Sequence, residues 1–256
     1  MAEKLRLGGM ALGNGVLVHG PTAWACAVRT SDGQVKIAAE RKRLVGSRVT
    51  FPLLRGPARL AEAFAVLPRL KRVLPEAKLP FEGPGVVFSM AGTAAAVQLV
   101  RRSKLSEAAQ ELVAGLLATA PAVLSVRSGS LAGYHGAEHI AIGTYEHDSP
   151  ALKEHERCGS HLVGPLILTA AAANLLASRA PREARPVARL AASLGAVAAS
   201  TEIFGWMQRH PKTRLARALA RPGHELQHRL STAEPTEDQL EVARAALAAC
   251  LELEDS

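Results

Sequence analysis

The chain has 256 residues, enough to bury a sizeable core as one large domain or two small ones. Apolar residues make up 48% of it but aromatics only 4%, and runs rich in alanine, leucine and valine favour helix over sheet. The net charge of +8 would suit an anionic partner, yet the arginines are scattered. With no aromatic platform or recognised motif beside them, specific nucleic-acid recognition is not expected.

Read in chain order, the first 45 residues have the character of β structure. Asn14-Gly15 is a turn signal between Met10–Leu12 and Val16–Val18. A second hairpin is expected from Ala23–Arg29 and Gln34–Arg41 around Ser31-Asp32-Gly33, with Val35, Ile37 and Ala39 alternating against Lys36, Ala38 and Glu40. Six prolines between Pro52 and Pro84 then break the chain into short pieces, with one helix expected near Ala58–Leu67. Beyond residue 86 the pattern predicts helices near 87–102, 107–120, 131–147, 160–178, 186–209 and 236–252. Ser106 and Ser149-Pro150 read as helix starts, Pro121 and Ser128-Gly129-Ser130 as breaks. The fold class expected is α+β: an N-terminal β-hairpin unit over 1–50, then a mainly helical domain of about six helices over 51–256.

Residues 83–100 and 161–178 each run 18 positions without Lys, Arg, Asp or Glu, the lower limit for crossing a membrane. They are rich in Ala, Gly, Ser and Thr, and the first is flanked by basic residues at both ends, so composition alone favours buried core helices. Met1–Arg6 lacks the apolar run of a secretory leader, and Cys26, Cys158 and Cys250 are too few and too far apart for a disulfide framework. A reducing, cytoplasmic setting is expected.

The sharpest local signal is His135-Gly136-Ala137-Glu138-His139. On a helix, positions i, i+3 and i+4 share a face, so two imidazoles and a carboxylate project together. That is the inverted zincin order, in which both histidines bind zinc and the glutamate serves as general base for the metal's water. Ile142 and Glu146 continue the stripe, and five of the nine histidines fall between 135 and 161. Cys158, Glu202, His155 and Glu146 are candidates for the third ligand. Glu202 stands out as a carboxylate in an apolar helix, where it needs either a metal or an arginine. A second match, His224-Glu225-Leu226-Gln227-His228, has the ordinary zincin order but reads equally as a short polar helix start after Pro222-Gly223.

These residues resemble a known family. Tyr134–His139, then Tyr145-Glu146, then Arg157-Cys158-Gly159-Ser160 are similar to the YqhQ family (DUF1385), described as predicted metal-dependent enzymes. Gly8–Ala11, Gly15-Val16, Gly20-Pro21, Trp24-Ala25 and Ala27–Arg29 resemble its opening block, Leu54–Pro57 the next, and Pro222-Gly223, Leu226-Gln227, Glu234-Pro235 and Gln239–Ala243 its last. The resemblance implies His135, Glu138, His139 and Cys158 as shared polar positions, with His155 and Glu202 also matching, and gives no support to His224 and Glu225. The chain departs from the family's pattern at Asn14, His19 and His161, where an acid, an arginine and an apolar residue are usual. The family's more hydrophobic helices imply membrane association, which leaves insertion open here.

The function expected is therefore a zinc-dependent hydrolase acting on a peptide or amide bond. His135, His139, Cys158 and Glu202 are the ligand candidates and Glu138 the base. The alternative is a membrane-associated or partner-binding scaffold, in which His135, His139, His155 and Cys158 close a structural zinc site. Homo-oligomerisation stays open.

Overall fold

Small and β-branched residues turn the first forty positions into an antiparallel meander of four strands: β1 (Gly8–Leu12), β2 (Gly15–His19), β3 (Ala23–Arg29) and β4 (Val35–Arg41), paired in that order. The computed structural model describes residues 4–43, 46–82, 84–118, 120–121 and 129–256. The first hairpin turns one residue earlier than expected. Leu12 pairs with Gly15, so Gly13-Asn14 forms the loop, and Asn14 uses its amide to bond Arg29 O, Glu76 O and Lys78 N instead of supplying a left-handed turn. The second hairpin matches its expectation, with Gly33 at φ 85°.

Strand alternation feeds two cores. Val16, Val18, Ala25 and Ala27 face one side, where they meet α5 (Gly129–His147) and α9 (Glu237–Asp255) through Tyr134, Ala137, Ala141, Val242 and Ala246. Leu17, Trp24, Cys26 and Val28 face the other, against Leu67 and Leu70 of the short helix α2 (Leu67–Val73) and its flanking residues Val66 and Leu74; α1 (Arg55–Ala65) precedes it. The central strands are thus buried on both faces. Helix α9 is the last element, closed at its start by a capping box between Thr236 and Gln239, so the first core joins residues from both sides of residue 50.

The remaining helices form a second body. α3 (Pro84–Arg101) packs on α4 (Glu107–Ala118), α4 on α6 (Val163–Ser178), and α6 on α7 (Arg185–Arg209). α8 (Arg214–Leu226) closes against the start of α6 and runs into a π turn at Gln227–Ser231. The expectation of buried core helices is not met here. Phe88 is 78% exposed and Val187 72%, and Leu99, Leu168, Leu176, Leu190 and Leu194 also point away from the protein. Two of the helical stretches, Gly159–Ser178 and Arg185–Arg209, are long and apolar enough to cross a membrane.

Two local expectations are corrected. Ser149-Pro150 starts no helix: α5 ends at His147, Asp148 takes φ 52°, and an irregular segment runs to Cys158. Pro222-Gly223 does not precede a helix but lies within α8, which Thr213 caps by accepting from Ala216 N at 3.2 Å. Of the expected breaks, Ser128 lies outside the described residues.

Candidate metal centre

Helix α5 is held between the sheet and the 148–158 segment. Its Tyr134, Ala137 and Ala141 fill the core, which turns His135, Glu138 and His139 toward a cavity of about 390 Å³ roofed by β1. The roof must come close. A Cβ placed on Gly9 would lie 2.3 Å from Glu138 Oε1, so glycine lets this strand pass over the carboxylate without displacing it. Gly8, beside it, faces the ring of His19 in the same way.

Two backbone carbonyls set the imidazoles. His135 Nδ1 donates to Ser231 O at 2.7 Å and His139 Nδ1 to Lys153 O at 2.5 Å. Each ring thereby keeps its proton on Nδ1 and presents the bare lone pair of Nε2, the arrangement that metal-ligating histidines use. His135 Nε2 lies 3.5 Å from Cys158 Sγ, and one ligand atom each from His135, His139 and Cys158 falls within 4.8 Å of the others. His139 Nε2 is buried with no hydrogen-bond partner among the described residues. An orphaned imidazole lone pair between a second imidazole and a thiol is costly without an occupant, and a soft-to-borderline cation satisfies all three. Three neutral or anionic N and S donors fit zinc.

Burial is the main influence on the titrations. It pushes the Glu138 carboxyl above its usual range, against the opposing pull of His135 and His155. It also lowers His139, so that ring is held neutral, as a ligand must be. Burial lowers His155 likewise.

The other candidates are placed elsewhere. His155 Nε2 meets Glu146 Oε2 at 3.0 Å, Glu146 also pairs with Arg157, and His155 stays outside the three-residue group. Glu202 is not brought to the cavity: it takes the Arg55 guanidinium, with Nε 2.8 Å from Oε1, and the Leu53 N–H at 3.1 Å. The arginine partner, and not a metal, explains its place in an apolar helix. The second zincin-like string forms no ligand group among the described residues, although His224 and His228 stack with ring centroids 6.3 Å apart. Glu225 pairs with Arg229 at 2.8 Å and His228 with Glu154 at 2.9 Å, while His224 ends α8 instead of starting a helix.

Sequence reasoning missed the orienting carbonyls, His19 and Arg157 on the cavity wall. Only the surroundings of His19 left a signal, since Gly8-Gly9 inside a strand marks a close approach and Gly8 faces the His19 ring.

Comparison with curated proteins and with solved structures finds no match. Residues 129–253, which carry His135, Glu138, His139 and Cys158, match the family described as "Protein of unknown function (DUF1385)". Over that stretch, from the start of α5 into α9, the chain is similar to the DUF1385 family.

Proposed function

We propose that the protein is a zinc-dependent hydrolase. The observation that carries this is the buried, unpartnered Nε2 of His139 facing His135 and Cys158, beside a buried glutamate that none of the three needs. Zinc would be held by Nε2 of His135, Nε2 of His139 and Sγ of Cys158, three protein ligands with a fourth position left for solvent. When bound, the ion supplies Lewis-acid activation of water.

The chain's own groups do the rest. Glu138, one position before His139 and roofed by Gly9, accepts the proton from the attacking water at its carboxylate and passes it to the leaving group. Its burial keeps bulk water from competing and gives it a basicity suited to that exchange. Arg157 and His19 line the same cavity and offer donors to a substrate oxygen. A peptide or amide bond is the favoured target, by analogy with the inverted zincin order. The closed structural alternative would need His155 as fourth ligand, and its Nε2 is engaged by Glu146.

A membrane location for α6 and α7 is a second reading, favoured by the outward-facing Leu168, Leu176, Val187, Leu190 and Leu194. Outside water, such a surface costs nothing. The start of α6 follows Cys158 by five residues, so the metal centre would sit at the membrane boundary.

Metal analysis of the purified full chain should find about one equivalent of zinc, lost in His135→Ala and Cys158→Ser but kept in Glu138→Gln. A folded wild type without stoichiometric metal would end the metalloenzyme reading. Resistance of the protein to alkaline carbonate extraction from membranes tests the second reading by itself.

A further inference from the structure

A second cavity, of about 330 Å³, opens on the far side of the 155–161 segment. Its walls come from four places: Glu156, His161 in the turn just before α6, Met207 and Gln208 at the end of α7, and Arg217, Arg221 and His224 on α8. Positions 217, 221 and 224 are i, i+4 and i+7 on one helix, so their side chains form one basic stripe facing the cavity. Among the described residues neither arginine enters an ion pair, although Glu225 and Glu154 nearby do.

The buried member of the set is His161. Gln227 Nε2 donates to its Nδ1 at 3.1 Å. The orientation of that amide is fixed, because Gln227 Oε1 accepts from His155 N at 2.8 Å and Nε2 also donates to Ser160 Oγ at 2.7 Å. With Nδ1 an acceptor, His161 carries its proton on Nε2 and is a donor there. The cavity therefore gathers two guanidinium groups, a fixed imidazole donor and a second histidine, against one acid, Glu156. That donor set is the chemistry of a phosphate monoanion or diester.

Position selects the source of the phosphate. The cavity lies where one span-length stretch, Gly159–Ser178, begins and the other, Arg185–Arg209, ends. Antiparallel neighbours of that length bring these ends to one membrane face, at headgroup depth. Helix α8 suits the same boundary, with Arg214, Arg217 and Arg221 beside an exposed Leu215. We infer that the cavity bounded by His161, Arg217, Arg221 and His224 binds the phosphate of an anionic phospholipid headgroup. The inference rests on the membrane reading of α6 and α7 and not on the metal centre.

Native mass spectrometry of the detergent-purified full chain, offered phosphatidylglycerol, phosphatidylcholine or inorganic phosphate, tests it. The wild type should retain one phosphatidylglycerol in preference to phosphatidylcholine. Arg217→Gln/Arg221→Gln should hold it about tenfold more weakly. Arg179→Gln/Arg182→Gln, which removes the same charge at the opposite ends of α6 and α7, should retain it. Equal loss in both double variants would overturn the site in favour of general charge attraction. Inorganic phosphate displacing the lipid at equal concentration would overturn the lipid assignment in favour of a soluble phosphate. Carbonate extraction on the same membranes separates the two failures: a protein released into solution loses the membrane reading itself. Unchanged circular dichroism and thermal unfolding exclude misfolding of either variant.

Discussion

In the sheet body Trp24 is 2% exposed, and Leu17, Cys26 and Val28 are enclosed with it between β-strands and α2. In the α3–α4–α6–α7 body the large apolar side chains stand outward: Phe88, Leu99, Leu176, Val187 and Leu194 are all exposed. Both bodies are apolar by composition, but only the first buries its apolar surface within the protein. On the proposed membrane reading the contrast is one of solvent. A largely apolar, outward-facing helix is stable beside more protein or in a lipid phase, and the described residues leave much of α6 and α7 uncovered.

The largest test of the contrast is truncation of an aromatic in each body. Trp24→Ala should cost about 3–5 kcal/mol in denaturant unfolding, because it empties a closed core. Phe88→Ala should change the same transition by less than about 0.5 kcal/mol. Similar costs at both positions would mean that the bundle is covered by protein, for instance a second copy. A charge sharpens the comparison. Phe88→Asp should weaken membrane insertion by up to about 3 kcal/mol, read as a shift from the membrane to the soluble fraction. In a water-facing bundle the same change would raise solubility and leave the partition untouched.

The sheet body carries its own polar liability in His19. Its Nδ1 lies 3.2 Å from Lys42 Nζ, Lys42 is ion-paired with Glu62, and Glu62 also takes the Gly46 N–H. Burial, then the Lys42 charge, lowers the imidazole from 6.5 to about 4, with Glu62 opposing. The unfolded chain therefore binds a proton near pH 6.5 that the native state refuses until about pH 4. The resulting stabilisation is present above pH 6.5 and drains away as pH falls through that window, roughly 3 kcal/mol in all. Urea unfolding at pH 7 and pH 4.5 should show this loss in the wild type and a shallower one in His19→Gln. Parallel pH profiles would mean that His19 titrates normally.

Much of this was legible from the sequence, and for identifiable reasons. Period-two alternation announced the second hairpin, and the i, i+3, i+4 spacing announced the face of α5, because both depend only on local geometry. Cys158 was recognisable as a metal-type residue, but its approach to His135 depends on where the irregular 148–158 segment turns, which no periodicity encodes. Glu202 looked like a ligand because its partner Arg55 lies 147 residues away in sequence. α8 was hidden by Pro222, which usually ends a helix but here lies inside it. The Ser231 and Lys153 carbonyls are backbone atoms, and residue type gives no sign of them.

Gly136, inside the candidate metal-binding string, tests how tightly that carbonyl support is coupled to the fold. A Cβ at this position would lie 2.2 Å from the Ala233 carbonyl oxygen, a backbone atom that a rotamer change cannot clear. Ala233 N is itself fixed to Ala132 O at 3.0 Å, so the 231–233 segment cannot yield without losing that bond. Gly136→Ala should therefore cost about 1–3 kcal/mol of stability through overpacking, although alanine is the better helix former. Any relief moves Ser231 O away from His135 Nδ1, which frees the ring to rotate or change tautomer. Zinc affinity should then fall by about tenfold while all three ligands remain in place. Lost stability with unchanged zinc affinity would mean that the Ser231 carbonyl is a packing contact and that His135 is oriented by Cys158 and the metal alone.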